Sequence, residues 1–180
     1  MFHSNTERLI EYWRARKVGG ASPQRAAIDP TEIATLLPQT FVLGRLGAGR
    51  YVFRLAGALV GDLHQRDLRG QDWLSLWEGA DKLRLATALE TARRRAEPVV
   101  LVAEARTTSG RAAGMEITLA PLRGGPDSPD RFIGLYQPVS PLAGLRDEAI
   151  VSLAVQRIGA ASETVEPYLK LAAVDGLRVA

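Results

Sequence analysis

Apolar and polar residues alternate along this chain with two different periods, and the points where the period changes divide it into elements. Leu9, Ile10 and Trp13, with Tyr12 beside them, recur at helical spacing and predict an amphipathic helix over residues 6–16, capped by Ser4 or Asn5 and ended by Gly19-Gly20. Its apolar stripe is narrow and aromatic. Leu9, Tyr12 and Trp13 therefore serve either to lay the helix on the domain or to pair it with a second chain or a partner. A polar connection then reaches Ile28-Asp29-Pro30-Thr31-Glu32-Ile33. There Asp29 caps a short helix, Pro30 takes the first helical position, and Glu32 completes a capping box. That helix carries Ile33, Leu36 and Leu37 and is expected to stop at Pro38.

The period then falls to two. Residues 40–46 and 50–56 are β-rich runs joined by Gly47-Ala48-Gly49, which predicts a hairpin with Tyr51, Phe53 and Leu55 on one face. A phosphate-binding reading of these glycines fails, because the third glycine of the fingerprint falls at Val52 and the run leads into a strand. Residues 58–64 suggest a single short helix, 68–70 a tight turn and 72–77 another helical turn. A longer helix is predicted over 80–95, burying Leu85, Leu89 and Ala92 with Leu83 and Ala86 beside them, before Pro98 blocks it. Residues 99–106 and 113–120 predict an antiparallel pair, with Met115, Ile117 and Leu119 inward and Glu116 and Thr118 outward. Residues 132–139 form the last strand of the series, ended by Pro138. Beyond Ser140 the pattern weakens: 146–155 suits strand or helix, 159–162 is linker-like, and 167–174 suits an edge strand or a docking tail.

Two groups of strands divided by a helical insert imply an α+β fold with one five-stranded antiparallel sheet and helices packed on one face. The expected layout is an N-terminal helical segment over 1–37, a core domain over 38–139 and a C-terminal extension over 140–180. At 180 residues and 46% hydrophobic, the chain has apolar material enough for one folded core. No apolar run approaches the length of a membrane span, and no secretion signal is visible. The chain has no cysteine, which removes disulfides, thiolate metal sites and thiol nucleophiles and makes the cytoplasm the expected location. Lys and Arg number 23 against 20 Asp and Glu, for a net charge of +3, so nucleic-acid binding is not suggested. The one basic run, Arg93-Arg94-Arg95, closes the long helix, where cations complement the negative end of the helix dipole.

Candidate chemistry is sparse. His64 lies near Asp62 and Asp67, but the spacing matches no metal-ligand motif, and a partly exposed histidine satisfied by solvent or backbone is the plainer reading. No nucleophile elbow is present. Arg54, among apolar neighbours in a strand, needs solvent or a partner. Glu104, Glu116, Asp62 and Asp67 are candidates for a salt bridge, and ligand recognition is the alternative. Trp73 and Trp77, four residues apart, share a helical face that serves core packing or a ligand box. Arg54, His64, Trp73 and Trp77 are the ligand-binding candidates. No catalytic or metal-binding residue is assigned.

In order and spacing, Tyr12-Trp13, Pro23-x-Arg25, Ile28-Asp29-Pro30-x-Glu32-Ile33 with Leu36-Leu37-Pro38, Phe53-Arg54-Leu55-Ala56-Gly57 and Arg66-Asp67-Leu68-x-Gly70 resemble the PAS superfamily. The closer likeness is to the single-domain PAS proteins of alphaproteobacteria. The resemblance covers residues 9–139 and implies a non-enzymatic sensory or interaction module of bacterial signalling, usually dimeric, with a cavity between sheet and helices in some members. By analogy its partners are signalling proteins, a sensor kinase or a cyclic-dinucleotide enzyme, and a small molecule modulates the association. Ala58, His64 and Gln65 depart from the family's usual threonine and aromatic-glycine positions, which alters the polarity of any pocket they line. A cysteinyl flavin adduct is impossible without cysteine. Two rivals are carried. One is a cone-shaped α+β isomerase or hydratase using Asp67 and His64 as acid and base, and the weaker one is RNA binding through Arg93 to Arg95. Strand order separates the first rival from a PAS sheet, in which the first strand is central.

Overall fold

The structure is a computed structural model and describes residues 1–125 and 130–160. Helix α1 spans Ser4–Arg14, α2 Ala58–His64 and α3 Lys82–Arg95. The strands are β1 Thr40–Gly47, β2 Arg50–Ala56, β3 Val99–Thr107, β4 Ala112–Leu122, β5 Arg131–Pro138 and β6 Ile150–Ala160. All six form one antiparallel sheet in the order β2-β1-β5-β4-β3-β6. The first strand is internal, and its pairing with β5, from Thr40↔Leu135 to Gly44↔Arg131, unites the two groups of strands.

Two features of this α+β sheet depart from the sequence expectation. A sixth strand, β6, pairs with β3 from Val99↔Ala160 to Thr107↔Ile150, so the ambiguous stretch over 146–155 contributes strand from Ile150 on, and Gly159 and Ala160 are strand rather than linker. The segment 167–174 lies outside the described residues. Helices also cover both faces, not one. On the inner face α3 and the segment Trp73–Leu76 pack on Phe41, Phe53, Met115, Ile117 and Tyr136. On the outer face α1 and a 3-10 segment, Pro30–Gln39, bury Leu9, Trp13, Ile33 and Leu36 against Ala120, Leu122, Ile133 and Leu135. Glu116 and Thr118 do point away from the inner core, yet both are buried. The amide of His3 donates to the Glu116 carboxylate at 2.9 Å, which ties the start of α1 to β4.

Local chemistry departs from expectation at five points. The cap of α1 is His3, whose Nδ1 accepts from the Asn5 amide, rather than Ser4 or Asn5. Asp29 caps its segment by accepting from the Thr31 amide, but Glu32 does not close the box. Its carboxylate pairs with Arg16 at 2.5 Å, and the Asp29 amide donates to the Tyr12 hydroxyl instead. The segment runs past Pro38 to Gln39 as a 3-10 turn. In β2 the alternation breaks at Arg54: Phe53 pairs with Leu43 and Leu55 with Val42, so Arg54 is the extra residue of a bulge. Leu55 therefore leaves the face of Tyr51 and Phe53 and is 45% exposed. Leu83 is likewise outside the core, on the solvent side of α3.

Gly57 shows how tightly the elements meet. Its amide donates to the Thr40 carbonyl at 2.8 Å, and a Cβ there would lie 2.2 Å from the Leu37 carbonyl oxygen and 2.4 Å from that of Pro38. Both obstacles are backbone and cannot rotate aside. Gly61, inside α2, has open space around its missing Cβ. Gly57→Ala should therefore lower unfolding free energy by about 2 kcal/mol or more. Gly61→Ala should raise it by about 0.5–1 kcal/mol through helix propensity. Urea denaturation of both variants checks the pair, and a Gly57→Ala protein as stable as wild type would contradict this packing.

Candidate functional site

The helical insert between β2 and β3 walls the inner face of the sheet, and its polar groups converge on the C-terminal strand. His64, the last residue of α2, is 3% exposed rather than partly solvated. Its Nδ1 lies 3.0 Å from the Ile150 carbonyl of β6 and its Nε2 3.1 Å from the Tyr136 hydroxyl of β5. A carbonyl only accepts, so Nδ1 carries the proton and Nε2 accepts from Tyr136. Burial pushes the imidazole down to about 4, with the nearby Arg66 charge adding to the shift. Burial likewise pushes the Tyr136 phenol up. The ring stays neutral with both nitrogens engaged, which makes it a structural tie.

Two further bonds fasten the insert to the same strand. The Glu78 amide donates to the Leu153 carbonyl at 3.0 Å, and the Val155 amide donates to the Asp81 carboxylate at 2.8 Å. Trp77 also bridges Leu153 in parallel. Beneath this clamp Trp73 and Trp77 fill the space between sheet and helices, their ring centroids 5.1 Å apart. Neither indole N–H finds a hydrogen-bond partner among the described residues. An unmet buried donor costs about 1–3 kcal/mol, which makes these two N–H groups costly members of the inner wall.

The ligand candidates from the sequence thus do not all converge. His64, Trp73 and Trp77 lie on the inner side, whereas Arg54 is exposed on the outer face beside Gly44. Arg54 forms none of the expected salt bridges: Glu104 is held by Arg106, and Glu116 by the His3 amide. Asp67 accepts from the Arg69 amide on the surface, so it forms no acid–base pair with buried His64. Leu9 and Trp13 are buried on their own sheet, with the Trp13 indole donating to the Pro121 carbonyl at 2.7 Å. Tyr12 is half-buried beside them. Sequence reasoning missed Tyr136, although the inward phase of Phe132 on β5 places it on the inner face. It also missed Asp81, which pairs locally with Arg84 but whose long-range partner, the Val155 backbone amide, has no sequence signature.

A second polar cluster is built around Glu90 of α3. Burial raises the Glu90 carboxyl, but hydrogen bonds from Arg45, Tyr51 and Arg93 outweigh it and hold the group near about 2. Arg93 also pairs with Asp130, so Glu90 ties α3 to β1 and β2 while Arg93 ties it to the segment before β5.

No helix among the described residues is long and apolar enough to cross a membrane. Comparison with solved structures finds a light-oxygen-voltage domain from work on a flavin analogue, at TM-score 0.48 and 13% identity, covering 64% of this chain and 87% of that one. The light-oxygen-voltage protein of Rhodobacter sphaeroides gives 0.45 and 14%, covering 81% and 72%. The PAS domain of a protein from Colwellia psychrerythraea gives 0.46 and 12%, covering 61% and 96%. No curated protein matches. A family model described as a PAS domain matches residues 1–137, from the aromatic helix α1 through β5. With that match spanning most of its length, the chain belongs to the PAS domain family.

Proposed function

We propose that this PAS domain is a non-enzymatic regulatory module of bacterial signalling in which the state of the inner wall is passed to β6 and thence to a partner protein. The observation that carries the reading is the triple attachment of β6 to the helical insert, through His64, Glu78 and Asp81. A small molecule bearing a hydrogen-bond acceptor that entered this wall would satisfy the buried, unpaired N–H groups of Trp73 and Trp77. Any displacement of that wall strains the three attachments. A ligand that prefers one arrangement of β6 over another shifts their populations by its differential affinity. By family analogy the partner is a sensor kinase or a cyclic-dinucleotide enzyme, the module is a homodimer, and it works in the cytoplasm.

The His64 attachment has a pH signature. Between its folded value of about 4 and its ordinary 6.5, the unfolded chain takes up a proton that the folded chain refuses. The contribution is fully present above pH 6.5 and is lost as pH falls toward 4, amounting to about 3 kcal/mol in all. Glu90, held near about 2, begins to lose its contribution only below its ordinary value of 4.5. The interval from 6.5 to 4.5 therefore reports mainly on the histidine. Denaturant unfolding across that interval should show stability falling on acidification in wild type and a flatter profile in His64→Phe. Equal slopes would remove the buried imidazole from the account.

Affinity capture with the full chain as bait, followed by identification of bound proteins, checks the signalling reading. Wild type should recover a sensor kinase or cyclic-dinucleotide enzyme, and His64→Phe should change that yield while the protein remains folded. Identical yields, or no recovery together with a monomeric native mass, would overturn it.

A further inference from the structure

The outer face of the sheet carries a groove, separate from the inner wall and independent of the reading above. It lies between the 3-10 segment and strands β1, β2 and β5, measures about 610 Å³, and is lined by Ile28, Ile33, Leu37, Val42, Leu55 and Ile133. Its volume is that of an ordinary small-molecule site. Leu37 and Leu55 are exposed at 37% and 45%, so part of this apolar wall faces water.

Arg25 lines one end of the groove, and Arg54 and Arg131 adjoin that end on β2 and β5, close enough for the charges of Arg25 and Arg54 to act on Arg131. Arg25 stands there beside Leu122, positioned by its amide donating to the Arg123 carbonyl at 3.2 Å. Leu122 is the register partner of Arg131 on β5, and Arg131 is the partner of Gly44 on β1. Arg54, the bulge residue of β2, lies over Gly44: a Cβ on that glycine would come within 2.6 Å of the Arg54 Nε. The missing side chain lets Arg54 cross β1 toward Arg131. The Arg131 Nε is buried without a hydrogen-bond partner. Among the described residues none of these three side chains forms an ion pair, whereas Arg16, Arg45, Arg84, Arg93, Arg106 and Arg111 all do. Burial and the charges of Arg25 and Arg54 push Arg131 downward, as expected for like charges gathered without a counterion.

We propose that this groove binds an amphiphilic carboxylate of the fatty-acid class, its chain along Val42, Leu55 and Ile133 and its carboxylate on Arg25, Arg54 and Arg131. The bulge supplies both halves of the site. It turns Leu55 outward to extend the apolar floor and places Arg54 over Gly44 as a head-group ligand. A guanidinium with an unused N–H is suited to a carboxylate, and charge-assisted bonds of this kind fix the head while the chain supplies affinity.

Titration calorimetry of the full chain with decanoate, dodecanoate, decanol and inorganic phosphate tests the proposal. Decanoate should bind one to one, and dodecanoate about tenfold more tightly for its two extra methylenes. Decanol should bind at least about tenfold more weakly for want of the charge, and Arg54→Gln and Arg131→Gln should each weaken decanoate by about tenfold. Circular dichroism matching wild type shows that the variants fold, and exposed Arg54 is the safer of the two. Decanol binding as well as decanoate, phosphate binding as tightly, or unchanged affinity in both arginine variants would each overturn the proposal. So would binding to phosphatidylglycerol vesicles without binding to free decanoate. A native dimer that Leu55→Glu dissociates, with no decanoate bound, would assign the groove to a second copy instead.

Discussion

The ladder between β1 and β5 is the contact on which the rest depends. It joins segments about ninety positions apart, from Thr40↔Leu135 to Gly44↔Arg131, and makes one surface of the β1–β2 hairpin and the four-stranded group β5-β4-β3-β6. Its closeness is set by Phe41, whose ring lies over Gly134 so nearly that a Cβ there would fall 2.2 Å from the Cζ atom. Such long-range pairing is entropically costly until side chains pack on it. Here both faces are packed, by α3 and the tryptophans within and by α1 and the 3-10 segment without. The ladder also fixes the chemistry of each face. Along β5 it places Tyr136 inward to meet His64 and Arg131 outward to meet Arg54.

Much of this was legible in sequence because it follows from period and from turn chemistry. The hairpin of β1 and β2, the inward run Met115, Ile117 and Leu119, and the buried stripe Leu85, Leu89 and Ala92 all depend on local spacing. What was not legible depends on distant neighbours. His64 is buried because β6, almost ninety residues later, returns to receive it, and no local pattern announces that return. Glu32 follows a capping pattern yet is drawn off by Arg16 of the preceding segment, because an ion pair there competes with the box. Leu55 is apolar and in phase with Phe53, yet it changes face because a bulge, decided by pairing register, intervenes.

The two arginine groups show opposite treatments of charge. Around Glu90 one carboxylate receives Arg45, Arg93 and the Tyr51 hydroxyl, so opposite charges compensate at the cost of ordering several long side chains. Across the outer face Arg25, Arg54 and Arg131 stand together with no carboxylate among the described residues to meet them. Mutual repulsion of that kind persists only where solvent screens it or where something anionic is received. The same surface is apolar a few residues away, at Val42, Leu55 and Ile133.

The attachment of Trp77 through Asp81 to β6 bears on how this protein behaves in a crowded solution. A sheet's last strand ordinarily offers a free row of amides and carbonyls on which further chains can stack without end. In β6 the Leu153 carbonyl and the Val155 amide are already taken by the chain's own Glu78 and Asp81. Two irregularities in the pairing with β3 bend the remainder out of register with any straight template. Along β6 the chain's own insert thereby occupies the middle of the edge, which works against strand addition there.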